Sequence, residues 1–225
     1  MIRKIEGKWT GYLGLGLLSF TAFMLELFSI FIIEGMLLHI DITDYTTGQR
    51  SLHSVITAFL WAVFILSVLA YSRRRYHYPE DKKASGRILP KDWKHAWICL
   101  ILCKVMTFID WHTLKIIGES RGQDLSRIVT QYVYYIFEVG LVLLIILYGQ
   151  KAAEVLLGRE SSIPFGGILL ALTWGMFHFI SRGVGIEWWN GISCMIFSML
   201  SGLIYLKLKR RPMCSYLMIA VGYLL

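Results

Sequence analysis

The apolar residues of this chain fall in blocks, at about 10–40, 52–72, 95–110, 128–149, 163–181, 189–206 and 213–225. A membrane-spanning helix takes about 20 mostly apolar residues, and most of these blocks have that reach. The rest of the composition agrees, with 56% hydrophobic and only 17% charged residues, where a soluble domain carries about a quarter charged. The pattern predicts an all-α, polytopic transmembrane bundle of about seven segments, forming a single integral membrane domain over residues 1–225. The first block exceeds one perpendicular span, so it tilts or projects beyond the bilayer. Its length, and Glu26 and Glu34 within it, read against a cleavable leader. The last block has 13 residues, too few to cross alone.

Orientation follows from the basic residues. With the N-terminus inside, seventeen of the 23 Lys and Arg fall in cytoplasmic segments, including Arg3, Lys4, Arg73, Lys82, Lys83 and Arg210. Five fall outside (Arg50, Lys115, Arg121, Arg127 and Arg182), and Lys104 lies within the third block. Such an excess of inner Lys and Arg predicts a cytoplasmic N-terminus and placement in a bacterial cytoplasmic membrane. It also accounts for the net charge of +8 without nucleic acid as a partner. Cys99, Cys103, Cys194 and Cys214 sit in or beside apolar blocks as free thiols. No compact ligand set implies a metal, and no other cofactor is expected. Gly11, Gly14 and Gly16 in the first block, and the Ser198/Gly202 step in the sixth, suit close helix packing.

An ionisable side chain in lipid is costly and marks a functional position by default. Glu26, Glu34, Lys104, Glu138 and His178 qualify. Glu26 and Glu34 are eight residues apart, about 800° of helical rotation, and face nearly one side. Glu138 should lie about 15 Å below the outer end of its helix, with Glu26 approaching the same layer. His178 lies nearer the surface, with Trp174 one turn before it and Arg182 one turn after. A desolvated glutamate can take a proton from water while a histidine steadies an oxyanion. The plainer reading, that Glu138 and His178 only satisfy polar groups between helices or at the interface, stands beside it. GxSxG, HExxH and CxxC are all absent.

WGMFH, Trp174 to His178, is followed by a loop, a span ending FSMLSGLIYLKLKRRP (197–212) and a short last helix. This order resembles the C-terminal half of the CAAX protease and bacteriocin-processing (CPBP, or Abi) family of intramembrane glutamate-type peptidases, over about residues 128–225. The resemblance implies an endopeptidase in which a glutamate activates water and His178 stabilises the oxyanion, with Trp174 shaping the cavity. The glutamate would be Glu138 or Glu154, the latter one turn from Gln150 in GQKAAE (149–154) and five residues before Arg159. The family's Glu-Glu pair is missing, and Tyr216 stands roughly where its last histidine would be, with no Asn one turn later. Gln150 and Tyr216 are then expected at the substrate. The implied partners are membrane lipids and a transmembrane or membrane-associated peptide or protein. The same departures suit a catalytically inactive relative, acting as a membrane scaffold or bacteriocin self-immunity factor. A small transporter using Glu26, Glu34 and Glu138 as a proton or cation path is the third reading.

Overall fold

The computed structural model describes residues 8–79, 87–180 and 185–225. Arg3, Lys4, Lys82, Lys83 and Arg182 lie outside the described residues, so the structure does not bear on the expectations attached to them. Among the described residues the elements are all helical: α1 Trp9–Leu37, α2 Thr47–Tyr76, α3 Pro90–Trp111, α4 Lys115–Ser120, α5 Leu125–Leu157, α6 Phe165–Gly175, α7 Trp188–Lys207 and α8 Pro212–Leu224. Five stretches are long and apolar enough to cross a membrane: α1, α2, α3 with α4, α5 and α7. α6 and α8 are apolar but shorter.

Local sequence sets the helix ends. Thr46 caps α2: its hydroxyl accepts from the Gln49 amide, and the Gln49 side chain accepts from the Thr46 amide. Pro90 and Pro212 open α3 and α8, where a missing N–H costs nothing. α5 stops at Gly158, whose φ of 65° is left-handed.

α1 covers 29 residues, about 43 Å at the α-helical rise, and is not regular. It tightens to a 3₁₀ turn at Ala22–Met24 and widens to a π-helix over Ser29–Leu37. Trp61 of α2 donates its indole N–H to the Ala22 carbonyl at this change of winding. The Ala22 carbonyl also accepts from the Leu25 amide across the 3₁₀ turn, so it serves two donors at this point.

α5 is the axis of the bundle, with α1, α2, α6 and α8 packed against it and α3 placed outside against α7 and α8. Of its apolar window 61% is buried, against 17–39% for the other four long stretches. From Glu138 to Gln150 every residue but Gly140 is buried. The outer surface instead carries large apolar groups such as Leu37, Phe59, Leu66 and Ile101.

Close approach of α6 to its neighbours requires glycine. A Cβ on Gly166 would run into the backbone carbonyl of Ile146 in α5. On the other side, a Cβ on Gly202 would lie 2.7 Å from the Gly167 Cα, and one on Gly167 would lie 2.8 Å from the Ser198 carbonyl oxygen. The Ser198/Gly202 step therefore serves the α6–α7 contact inside the chain. Gly166→Ala should cost about 1–3 kcal/mol by overpacking, read as a lower thermal unfolding midpoint. Gly14→Ala, where a Cβ meets nothing within 4 Å, should not lower the midpoint and should raise it by the better helix propensity of alanine.

Candidate functional site

α6 ends one residue after Trp174, and the chain turns at His178–Ile180. This corner borders a cavity of about 260 Å³ between α3, α4, α5, α7 and α8. His178 is part of its wall, as are Trp174, Asp110, Lys115, Glu119, Asn190, Cys194 and Tyr223. The imidazole is positioned by its own backbone. Nδ1 lies 2.8 Å from the Trp174 carbonyl oxygen, which can only accept, so Nδ1 carries the proton. The Asn190 amide donates to the His178 carbonyl at 2.9 Å. The Trp174 and His178 rings are 4.2 Å apart, as a spacing of four residues permits.

Glu138 reaches the neighbourhood by a different route. It lies on α5, is buried, and does not line the cavity. The Tyr223 hydroxyl donates to its Oε2 at 2.9 Å, and the Trp174 indole lies close to the same carboxylate. Trp174 therefore touches both sequence-predicted groups, while Tyr223 stands at the cavity wall with its hydroxyl turned to the carboxylate.

Lys115 holds Tyr223 in place. Its ammonium lies 4.0 Å from the Tyr223 ring centroid, 4.4 Å from that of Tyr135 and 3.9 Å from a Glu119 carboxylate oxygen. Tyr135 donates to the same carboxylate at 2.8 Å and accepts from the Gln131 amide at 2.7 Å. Cation–aromatic contacts of this kind gain strength where water is scarce. Lys115 reads in the sequence as one more outer-loop base, and Tyr223 only as part of the short last apolar block. Neither carries a local signal of its role, because the cavity is closed by α4 and α8 only after folding.

Gln150 and Glu154 belong elsewhere. They lie 12 and 16 residues beyond Glu138 on α5, so Glu154 is about 24 Å along the helix from it. Glu154 accepts from Arg210 at 2.7 and 3.1 Å, from the Gln150 amide at 2.8 Å and from the Ser161 backbone at 3.2 Å. Gln150 also accepts from the Gly166 amide and donates to the Ile163 carbonyl. This network fastens the α5–α6 loop to the α7–α8 turn. Burial alone would lower the Arg210 pKa, but hydrogen bonding and charge from Glu154 raise it overall. Tyr216 does not line the cavity either; its hydroxyl donates to the Ile136 carbonyl.

A second polar cluster lies among α1, α2 and α5. Glu26 and Glu34 meet there as their spacing predicts, with Tyr134 of α5 donating to Glu26 at 3.1 Å. The group between them is His53, 2.9 Å from Glu34 and 3.3 Å from Glu26. Its position at the edge of the second apolar block hid it among interfacial residues. Among the described residues no group of three or more His, Cys, Asp or Glu side chains is arranged to hold a metal.

No family model matches the chain, and no curated protein or solved structure matches it either.

Arg210→Ala leaves Glu154 buried without its cation and should destabilise the protein by about 3–5 kcal/mol, the cost of breaking a buried pair. Adding Glu154→Gln to it should recover part of that loss. Thermal unfolding of the single and double variants checks both expectations.

Proposed function

We propose that the chain is a CPBP-like integral membrane protein of a bacterial cytoplasmic membrane. It has about seven membrane segments and a cytoplasmic N-terminus. It holds a transmembrane or membrane-associated peptide segment in the cavity beside His178 and does not hydrolyse it, as a scaffold or self-immunity factor would. The observation that carries this reading is the placement of Glu138. A base must reach the water that it activates, and this carboxylate is turned to Tyr223 and Trp174 behind the cavity wall. Gln150, Glu154 and Tyr216 lie away from the cavity, and the carboxylates that do line it beside His178 are already engaged, Asp110 by the Trp189 indole and Glu119 by Tyr135 and Lys115.

The topology is supported by the way turns pair. Tyr78 meets Tyr205, Lys209 meets Asp92 and Arg210 meets Glu154 in one group. In the other, Arg127 meets Arg50 and Ser54, Trp189 meets Asp110, and the Lys115 amide meets the Leu225 carbonyl. Alternating segments put these same connections at opposite faces, with the basic loops on the inner one.

A second reading, an intramembrane endopeptidase, is favoured by Trp174, which joins Glu138 to His178. It needs Tyr223 to withdraw so that water enters between them. Co-expression with tagged single-span peptides separates the two. A photoreactive residue at Ser193, on the cavity wall, should crosslink uncleaved peptide equally in the otherwise wild-type chain and in Glu138→Gln. Shortened peptide that disappears in Glu138→Gln and in His178→Ala would establish hydrolysis instead. Under the second reading Tyr223→Phe, which removes the hydroxyl from Glu138, should raise that cleavage about tenfold, the effect of ~1.4 kcal/mol.

A further inference from the structure

The cluster of Glu26, His53 and Glu34 lies among α1, α2 and α5, apart from the His178 cavity, and its hydrogen bonds do not balance without an extra proton. Glu34 is fully buried, accepts from the Ser29 hydroxyl on one oxygen and from the Tyr45 hydroxyl on the other, and has His53 Nδ1 2.9 Å from the first. A hydroxyl donor on each oxygen suits an ionised carboxylate, which can only accept. His53 therefore donates through Nδ1. A neutral imidazole would then present the lone pair of Nε2 to Glu26 Oε1 at 3.3 Å. That oxygen already accepts from Tyr134 and carries lone pairs of its own. Two acceptors face each other unless a proton lies between them.

The other charged groups nearby do not supply it. Arg50 directs its Nε to the Tyr45 carbonyl, and Arg127 donates to the Arg50 carbonyl and the Ser54 hydroxyl. The groups facing His53 are thus Glu26 and Glu34 from α1, Tyr45 from the α1–α2 loop and Tyr134 from α5. Two carboxylates around one imidazole favour the doubly protonated ring. The two acids differ in access: the Glu34 side chain is fully enclosed, whereas that of Glu26 is one-third exposed.

We infer that Glu26, His53 and Glu34 form a proton-binding site, in which an imidazolium between two carboxylates ties α1 to α2 and exchanges its proton through Glu26. Glu34 is the fixed anion, buried and served by three donors. On release the Nε2–H bond of His53 breaks and an O–H bond forms on Glu26, which passes the proton to water. The cluster goes from one net negative charge to two. Nε2 and Glu26 then repel each other, and the α1–α2 contact loosens where α1 is already irregularly wound. The protonated site belongs to the closed bundle, so its stabilisation is present at low pH and lost as pH rises through its titration.

The test uses the full chain in detergent micelles, labelled with ¹⁵N-histidine, with His53→Gln identifying the His53 signals among those of the six histidines. At pH 7.5, where an ordinary histidine of pKa about 6.5 is mostly neutral, His53 should give imidazolium shifts. Glu34→Gln should move its titration midpoint down by about one unit or more. Should that variant fail to fold, Glu26→Gln at the exposed acid should move the midpoint in the same direction. Thermal midpoints should fall with rising pH in the wild type and not in His53→Gln. Neutral-ring shifts at pH 7.5, a midpoint unmoved by removal of either acid, or the same pH profile with and without His53 would each overturn the assignment.

Discussion

Along most of its length α5 is surrounded by other helices, with no water to receive its polar side chains. Most of them find a partner on a neighbour, the Tyr148 hydroxyl being an exception, and those partners determine how the bundle is assembled. Glu138 takes Tyr223 of α8. Tyr134 takes Glu26 of α1, and Gln150 and Glu154 take the α6 approach and Arg210. Apolar packing brings the helices together, but these few directed contacts fix their rotation and depth. The glycines of α6 follow from the same arrangement, since α6 must lie close to both α5 and α7.

Two consecutive residues show how one helix serves two separate polar regions. Tyr134 points to the Glu26 and His53 cluster, and Tyr135 points to Glu119 and Lys115 at the cavity. Successive side chains on an α-helix are about 100° apart, enough to reach different neighbours at one level. The two regions are therefore adjacent in height but face different helices. One is an enclosed ion cluster with a partly exposed acid, and the other is an open cavity with Glu119 and Asp110 in its wall and Glu138 set behind Tyr223.

That wall decides how the chemistry is read. His178 is placed by backbone groups, with its Nδ1 proton committed to the Trp174 carbonyl. Glu138 is held by the Tyr223 hydroxyl of α8. An acid and a base on such independent supports come into register for catalysis only if Tyr223 gives way, and Tyr223 is itself held by Lys115. Binding in the cavity requires no such movement.

Helical class and the long apolar stretches were legible in the sequence, because lipid imposes a length and a composition that a single chain displays along its own axis. The contact of Trp174 with His178 was legible too, since a spacing of four brings them together, whereas the close approach of Glu26 and Glu34 also depends on the π-helical winding over Ser29–Leu37. What could not be read were contacts between helices distant in sequence: His53 between the two acids, Tyr223 on Glu138, Lys115 beneath two tyrosine rings, and Arg210 on Glu154. Periodicity tells which residues share a face but not which face of which helix it meets. Only tertiary packing chose those partners, because which helix faces meet depends on close approach, as at Gly166 and Gly202 for α5, α6 and α7, together with the directed polar contacts.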